Sequence, residues 1–162
     1  MRTNDAGLHI IKVCEGFRRR PYFDVGGVVT VGFGTTRGCD DRRLTMDMAP
    51  ITRADAEAFL KRDVVATEGF VSRLVKVDLN ENEFSSLVSF TYNVGAGNLQ
   101  RSKLRMKLNR GNRAGAADEF QWWRRAAGRI YRGLVIRRSM ERGLFLDETF
   151  ENGTDDSNRP VN

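Results

Sequence analysis

The apolar positions of this chain recur with two different periods, and the change of period marks its architecture. Between residues 5 and 14, Leu8, Ile10, Ile11 and Cys14 fall at helical spacing. Thr3 or Asn4 can cap that helix, and Gly16 suits its stop, so Glu15 sits at the helix end. Residues 22–36 change character. Tyr22, Val28, Val29, Thr30, Val31 and Phe33 are strand formers, and Gly26-Gly27 is a hairpin turn signal. This predicts a small antiparallel sheet, followed by an irregular polar stretch that ends at Pro50.

From there the helical period returns. Thr52 and Asp55 have the spacing of a capping box, opening a long helix to about residue 71 with Ala56, Phe59, Leu60, Val64 and Phe70 as its core stripe. Asn80 caps a second helix containing Phe84, Leu87, Val88, Phe90 and Thr91, stopped by Gly95. Further helices are expected over 99–108, from Asn112 through Trp122 and Trp123 to Gly128, and over 133–146. No repeat of 20–50 residues is present. The plan is α+β: a small sheet lobe and a mainly helical lobe joined by a long helix, with a cleft between lobes as the natural site. Residues 1–146 are expected to form one two-lobed domain. Residues 147–162, acidic and nearly devoid of apolar side chains, are expected to be a disordered tail.

Composition narrows the class. The chain has 162 residues, 40% hydrophobic and 30% charged, which excludes collagenous, disordered and disulfide-scaffold classes. The apolar run near the start is too short to span a bilayer and lacks a signal-peptide cleavage pattern, so synthesis in a cytoplasm is expected. One His and two Cys, with no Cys/His cluster, argue against zinc; no metal and no cofactor are expected. Cys14 reads as a buried reduced thiol, with a Cys14–Cys39 disulfide as the alternative. The net charge of +6 is uneven. Residues 95–146 hold thirteen Lys and Arg against three acids, a net +10. Such a lobe attracts polyanions, including nucleic acid, an anionic membrane face or a wall polymer. Arg124-Arg125 and Arg137-Arg138 read as solvated faces of that lobe.

The candidate chemistry lies where the first helix meets the sheet. A turn at Gly26-Gly27 brings Asp24 close to Thr30, and the bend after Gly16 lets Glu15 face both. Two carboxyl groups in unlike surroundings are the requirement of glycoside hydrolysis: one donates a proton to the departing sugar oxygen, the other orients or activates water. The Thr30 hydroxyl is suited to hold that water. The spacing alone is a weak signal.

The wider pattern is more specific. Glu15-Gly16, Tyr22, Asp24, Gly27, Thr30, Gly32 and Gly34 follow the order E-G, Y-x-D-x-x-G-x-x-T-x-G-x-G. Further on stand Leu79-Asn80-Glu81-Asn82-Glu83-Phe84, Phe90-Thr91-Tyr92-Asn93-Val94-Gly95, the run 116–123 and the run 137–145. Together these resemble the phage-type lysozymes of glycoside hydrolase family 24 over about residues 6–146. The resemblance implies a lysozyme-like fold and a muramidase that cuts the β-1,4 bond between N-acetylmuramic acid and N-acetylglucosamine in peptidoglycan during host lysis. It implies Glu15 as general acid, and Asp24 and Thr30 as holders of the attacking water. It places Phe33, Tyr92, Asn93, Gly95 and Arg137 as glycan-binding, with Arg137 near the acid. It implies inversion, hence a Glu15–Asp24 carboxyl separation of roughly 6.5–9.5 Å. It also implies a peptidoglycan strand as partner, a holin for membrane passage, action on the wall after release, and a monomer. No nucleic-acid partner is expected, since no nucleic-acid motif accompanies the charge. One departure stands out: Thr35-Thr36 replace the His that the family commonly carries after G-x-G, which removes the ion pair made by that His. The rival reading is a non-catalytic peptidoglycan-binding module on the same fold.

Overall fold

The computed structural model describes residues 1–24, 26–126 and 128–147. Apart from Asp147, the tail expected to be disordered lies outside the described residues. Helix α1 is Asp5–Glu15, strands β1 and β2 are Arg18–Phe23 and Val29–Gly32, and the long helix α2 is Arg53–Leu74. The body follows as α3 (Glu81–Val94), α4 (Ala96–Arg101), α5 (Lys103–Asn109), α6 (Arg113–Glu119), a short hairpin β3 (Arg125–Ala126) and β4 (Arg129–Ile130), and α7 (Arg132–Phe145).

Local chemistry fixes the ends of these elements. The Asn4 side chain accepts from the Gly7 N–H, and the Gly16 N–H closes α1 on the Lys12 carbonyl. Glu68 of α2 accepts from the Thr3 N–H and hydroxyl, and Ser85 of α3 accepts from the Asn4 N–H. The start of α1 is therefore tied to two helices, and its far end is held at a fixed place. Both expected N-terminal signals are present as full capping boxes: Thr52 with Asp55, and Asn80 with Glu83.

Helix α3 is the axis of the body, buried without a break from Glu83 to Thr91. Its polar members are satisfied internally: the Thr91 hydroxyl donates to the Leu87 carbonyl and the Ser86 hydroxyl to the Glu83 carbonyl. Leu87, Val88 and Phe90 join Leu99, Leu104, Leu108, Phe120 and Phe145 in one core, which extends through Leu60, Ala56, Ile11, Val31 and Phe33 under the sheet. Helix α2, about 33 Å long by its 22 residues, connects the two lobes. A β-carbon on Gly32 would stand 3.0 Å from the Ala56 β-carbon, so the sheet approaches α2 where only glycine fits. No helix among the described residues is long and apolar enough to cross a membrane.

Three expectations are corrected. Phe70 is exposed and Val71 is buried in its stead. At 100° per residue, position 71 stays in phase with Leu60 and Val64, and position 70 does not; the Arg73 guanidinium covers the Phe70 ring at 4.8 Å. The helix expected over 99–108 is two. The Ser102 hydroxyl donates to the Leu99 carbonyl and accepts from the Arg105 N–H, ending α4 and capping α5. The helix expected from Asn112 to Gly128 stops at Glu119. There the chain turns so that Phe120 and Trp123 meet Phe90 edge-on, at 5.4 and 5.3 Å, and Trp122 is left exposed. Gly128 turns the β3–β4 hairpin instead of ending a helix.

Candidate active site

The sheet presents a polar face beside the end of α1. Tyr22 pairs directly with Thr30, Phe23 with Val29, and the Asp24 N–H continues the ladder to the Val28 carbonyl at 3.0 Å. Alternation puts Tyr22, Asp24 and Thr30 on one face and sends Phe23 to the other, where it is exposed. Burial pushes the Tyr22 phenol pKa up and Arg18 pulls it down, while Glu15 and Asp24 both push it up. Tyr22 thus lies within the field of both carboxylates. The sequence had marked it only as a strand former and a motif residue.

Each of the three central side chains is held. Asp24 Oδ1 accepts from the Gly26 and Val28 N–H groups, both at 2.8 Å, which leaves Oδ2 outside the turn. The Thr30 hydroxyl donates to the Val28 carbonyl at 3.0 Å. Its proton is thereby committed, and its lone pairs remain as acceptors. Glu15 Oε1 accepts from Arg137 Nη1 at 2.6 Å. On the other oxygen's side lies Gly34, with φ +98°. A β-carbon there would stand 3.8 Å from Glu15 Oε2 and 3.8 Å from the Tyr92 hydroxyl. The second glycine of G-x-G is therefore a piece of the site's backbone.

Behind Glu15 stands a buried ionic network. Arg137 is 2% exposed and Glu141 fully buried. Arg137 Nε donates to Glu141 Oε1 at 3.1 Å and Nη2 to the Ser89 carbonyl at 3.1 Å; the Ser89 hydroxyl donates to Glu141 Oε1 at 2.7 Å. Arg138 Nη1 lies 3.0 Å from Glu141 Oε2 as an ion pair without hydrogen-bond alignment. Arg138 Nη2 donates to Asn93 Oδ1, and its guanidinium covers the Phe90 ring. Burial alone would lower the pKa of Arg137, but Glu141 and then Glu15 outweigh it and the net shift is upward. For Arg138 burial prevails over Glu141, and its pKa falls. The two arginines read from sequence as a solvated face are thus a buried pair. Arg137 thus faces two carboxylates, Glu15 and Glu141.

The residues expected to bind glycan separate. Asn93 and Arg137 line a hollow of about 320 Å³ together with Cys14, Glu15, Ala126, Tyr131, Gly133 and Leu134. Tyr92 lines a neighbouring hollow of about 280 Å³ with Gly34, Arg62 and Asp63. Its hydroxyl donates to the Phe33 carbonyl at 3.1 Å. Burial, then Asp63 and Glu15, hold the Tyr92 phenol far above its usual pKa. Gly95 is exposed at the end of α3. Phe33 is corrected: its side chain is 1% exposed and packs on Phe17 at 5.7 Å, so only its carbonyl serves the site, by anchoring Tyr92. Cys14 is half-buried and Cys39 exposed, both as free thiols. Burial pushes the Cys14 thiol pKa up against the pull of Arg137, which keeps it protonated and a poor nucleophile.

Thr35 also finds a partner. Its hydroxyl donates to Asp63 Oδ2 at 2.8 Å, while Arg62 donates to Oδ1. A hydroxyl holds this carboxylate without a group that titrates near neutrality. Thr35→Val is expected to cost about 1 kcal/mol in urea unfolding, with activity retained. Asp24→Asn keeps the oxygen that accepts from Gly26 and Val28. Its Tm should stay within a few degrees of wild type, while catalytic activity falls by roughly 10²–10⁴; a rate measurement beside a melting curve separates the two effects.

A carboxylate at the end of a helix, facing a two-stranded sheet beneath a helical body, is the arrangement of a lysozyme-like protein. Known proteins agree. The family model described as phage lysozyme matches residues 12–141. The chain is 38% identical to the endolysin of Bacillus phage B103 over 165 residues, covering 99% of this chain and 60% of that protein. It is 35% identical to the endolysin of Salmonella phage P22 over 146 residues, covering 90% of this chain and 99% of that one. Among solved structures, the endolysin from Escherichia coli O157:H7 phage FAHEc1 superposes with a TM-score of 0.82 at 37% identity, covering 92% of this chain and 96% of that one. The chain belongs to the phage lysozyme family.

Proposed function

We propose that this protein is an endolysin-type muramidase that hydrolyses the β-1,4 bond between N-acetylmuramic acid and N-acetylglucosamine in bacterial peptidoglycan, in the course of host lysis. The observation that carries this reading is the unequal environment of its two carboxylates: Glu15 against buried Arg137 at the end of α1, Asp24 in a polar turn. Glu15 donates its proton to the glycosidic oxygen as the bond to the anomeric carbon breaks. A water held by Asp24 Oδ2 and Thr30 Oγ1 attacks that carbon from the opposite face. Both protein oxygens act as acceptors, since the Thr30 proton is already given to Val28. They take the water's hydrogens and leave its lone pair for the carbon, and Asp24 receives the released proton. The basic body, with its net +10 over residues 95–146, favours approach to an anionic wall.

The test uses purified peptidoglycan as substrate. The expected result is a rise in reducing ends that parallels the loss of turbidity. Sedimentation of the protein with the wall, without new reducing ends, would instead favour the non-catalytic binding module.

A further inference from the structure

The hollow at Glu15 has one aromatic wall that the reaction scheme does not use. Tyr131 lines it and is 48% exposed. The residue is fixed by its backbone on both sides: its N–H donates to the Arg124 carbonyl at 3.1 Å, and its carbonyl accepts from the Val135 N–H at 3.0 Å, opening α7. Ala126, Gly133 and Leu134 line the same hollow beside it, and Glu15 lies in its lining too. Other exposed aromatics are placed differently. Phe70 is covered by Arg73, and Trp122 belongs to a separate hollow with Arg101 and Lys103.

We propose that Tyr131 is a glycan-binding residue whose ring stacks on the apolar C–H face of the sugar seated beside Glu15. An aromatic ring on a rigid backbone offers a flat apolar surface at the cost of two torsions, and a phenol keeps its polar tip in water. A pyranose is complementary, with C–H groups on its face and hydroxyls at its edge. The contact holds the sugar in register with the acid before and during bond cleavage, so it contributes to binding in both states and acts mainly on KM. The assignment rests on the muramidase reading for its substrate class.

The experiment compares Tyr131→Phe, Tyr131→Leu and Tyr131→Ala by steady-state kinetics on soluble peptidoglycan fragments. It also measures binding of a muramic acid–glucosamine tetrasaccharide to each variant in a Glu15→Gln background. Tyr131→Ala should raise KM and the tetrasaccharide Kd about tenfold with kcat within about twofold. Tyr131→Phe should stay near wild type, and Tyr131→Leu, apolar but not flat, should resemble Tyr131→Ala. Unchanged affinity in Tyr131→Ala, or full affinity in Tyr131→Leu, overturns the proposal. A fall in kcat and Tm with unchanged Kd overturns it as well, since that is the signature of a packing role. The muramidase reading fails separately, if the wild-type protein creates no reducing ends; the tetrasaccharide Kd values still decide the role of Tyr131.

Discussion

Glu15→Gln should lower the rate of peptidoglycan solubilisation by roughly 10²–10⁴, with a circular dichroism spectrum like that of the wild type. Glutamine has the size and shape of the acid and keeps an oxygen for Arg137 Nη1, now 2.6 Å from Oε1. It has no proton to give to a departing sugar oxygen. The cost in stability should be small, about 1 kcal/mol, for two reasons. Glu15 is partly solvated, and Arg137 retains Glu141 and the Ser89 carbonyl. A large loss of activity with a small loss of stability is what separates a proton donor from a structural ion-pair partner. Wild-type rates in this variant would remove Glu15 from the chemistry.

The largest effect on stability is expected one layer deeper. Glu141→Ala removes the only carboxylate among the described residues that stands against both buried arginines, Arg137 at 3.1 Å and Arg138 at 3.0 Å. Among the described residues, Arg137 would keep only Glu15 as a carboxylate partner and Arg138 would keep none, with both guanidiniums buried, and breaking such a buried pair costs on the order of 3–5 kcal/mol. Tm should fall by roughly 10 °C or more, followed by calorimetry. Glu141→Gln is the gentler variant, since it retains an acceptor for the Ser89 hydroxyl and Arg137 Nε. It removes the buried charge while leaving the Arg137–Glu15 ion pair in place. Its Tm should therefore fall less than that of Glu141→Ala. Unchanged stability in Glu141→Ala would show that Glu141 does not support the fold.

The legible parts of this chain are those written in local chemistry. Asn4, one of two caps the sequence offers beside Thr3, Thr52 with Asp55, and Asn80 act over a few residues and start helices as their chemistry suggests. The hairpin that sets Tyr22 against Thr30 follows from its strand formers and the glycine turn. The parts that escaped depend on distant partners. Arg137 and Arg138 look like surface residues until α7 is laid on α3; the spacing of Arg137 and Glu141, with Ser89 amid apolar neighbours, is the only local trace of the network. Helix propensity carried the reading past Glu119 because it does not register the pull of Phe90 on Phe120 and Trp123. That error hid the β3–β4 hairpin, and with it the place of Tyr131 beside the acid. Phe33 was assigned to the groove from its motif, yet it lies in the turn just past β2, where its ring packs on Phe17 and joins the core.

The central claim is that Asp24 and Thr30 deliver water directly to the sugar carbon while Glu15 protonates the leaving oxygen. It is tested most directly by the anomeric configuration of the newly formed N-acetylmuramic acid end, followed by proton NMR from the first turnovers on soluble glycan. The account predicts that the α-anomer forms first, by inversion of the β-linkage, and then mutarotates. Initial formation of the β-anomer, or of an anhydro sugar, would contradict it.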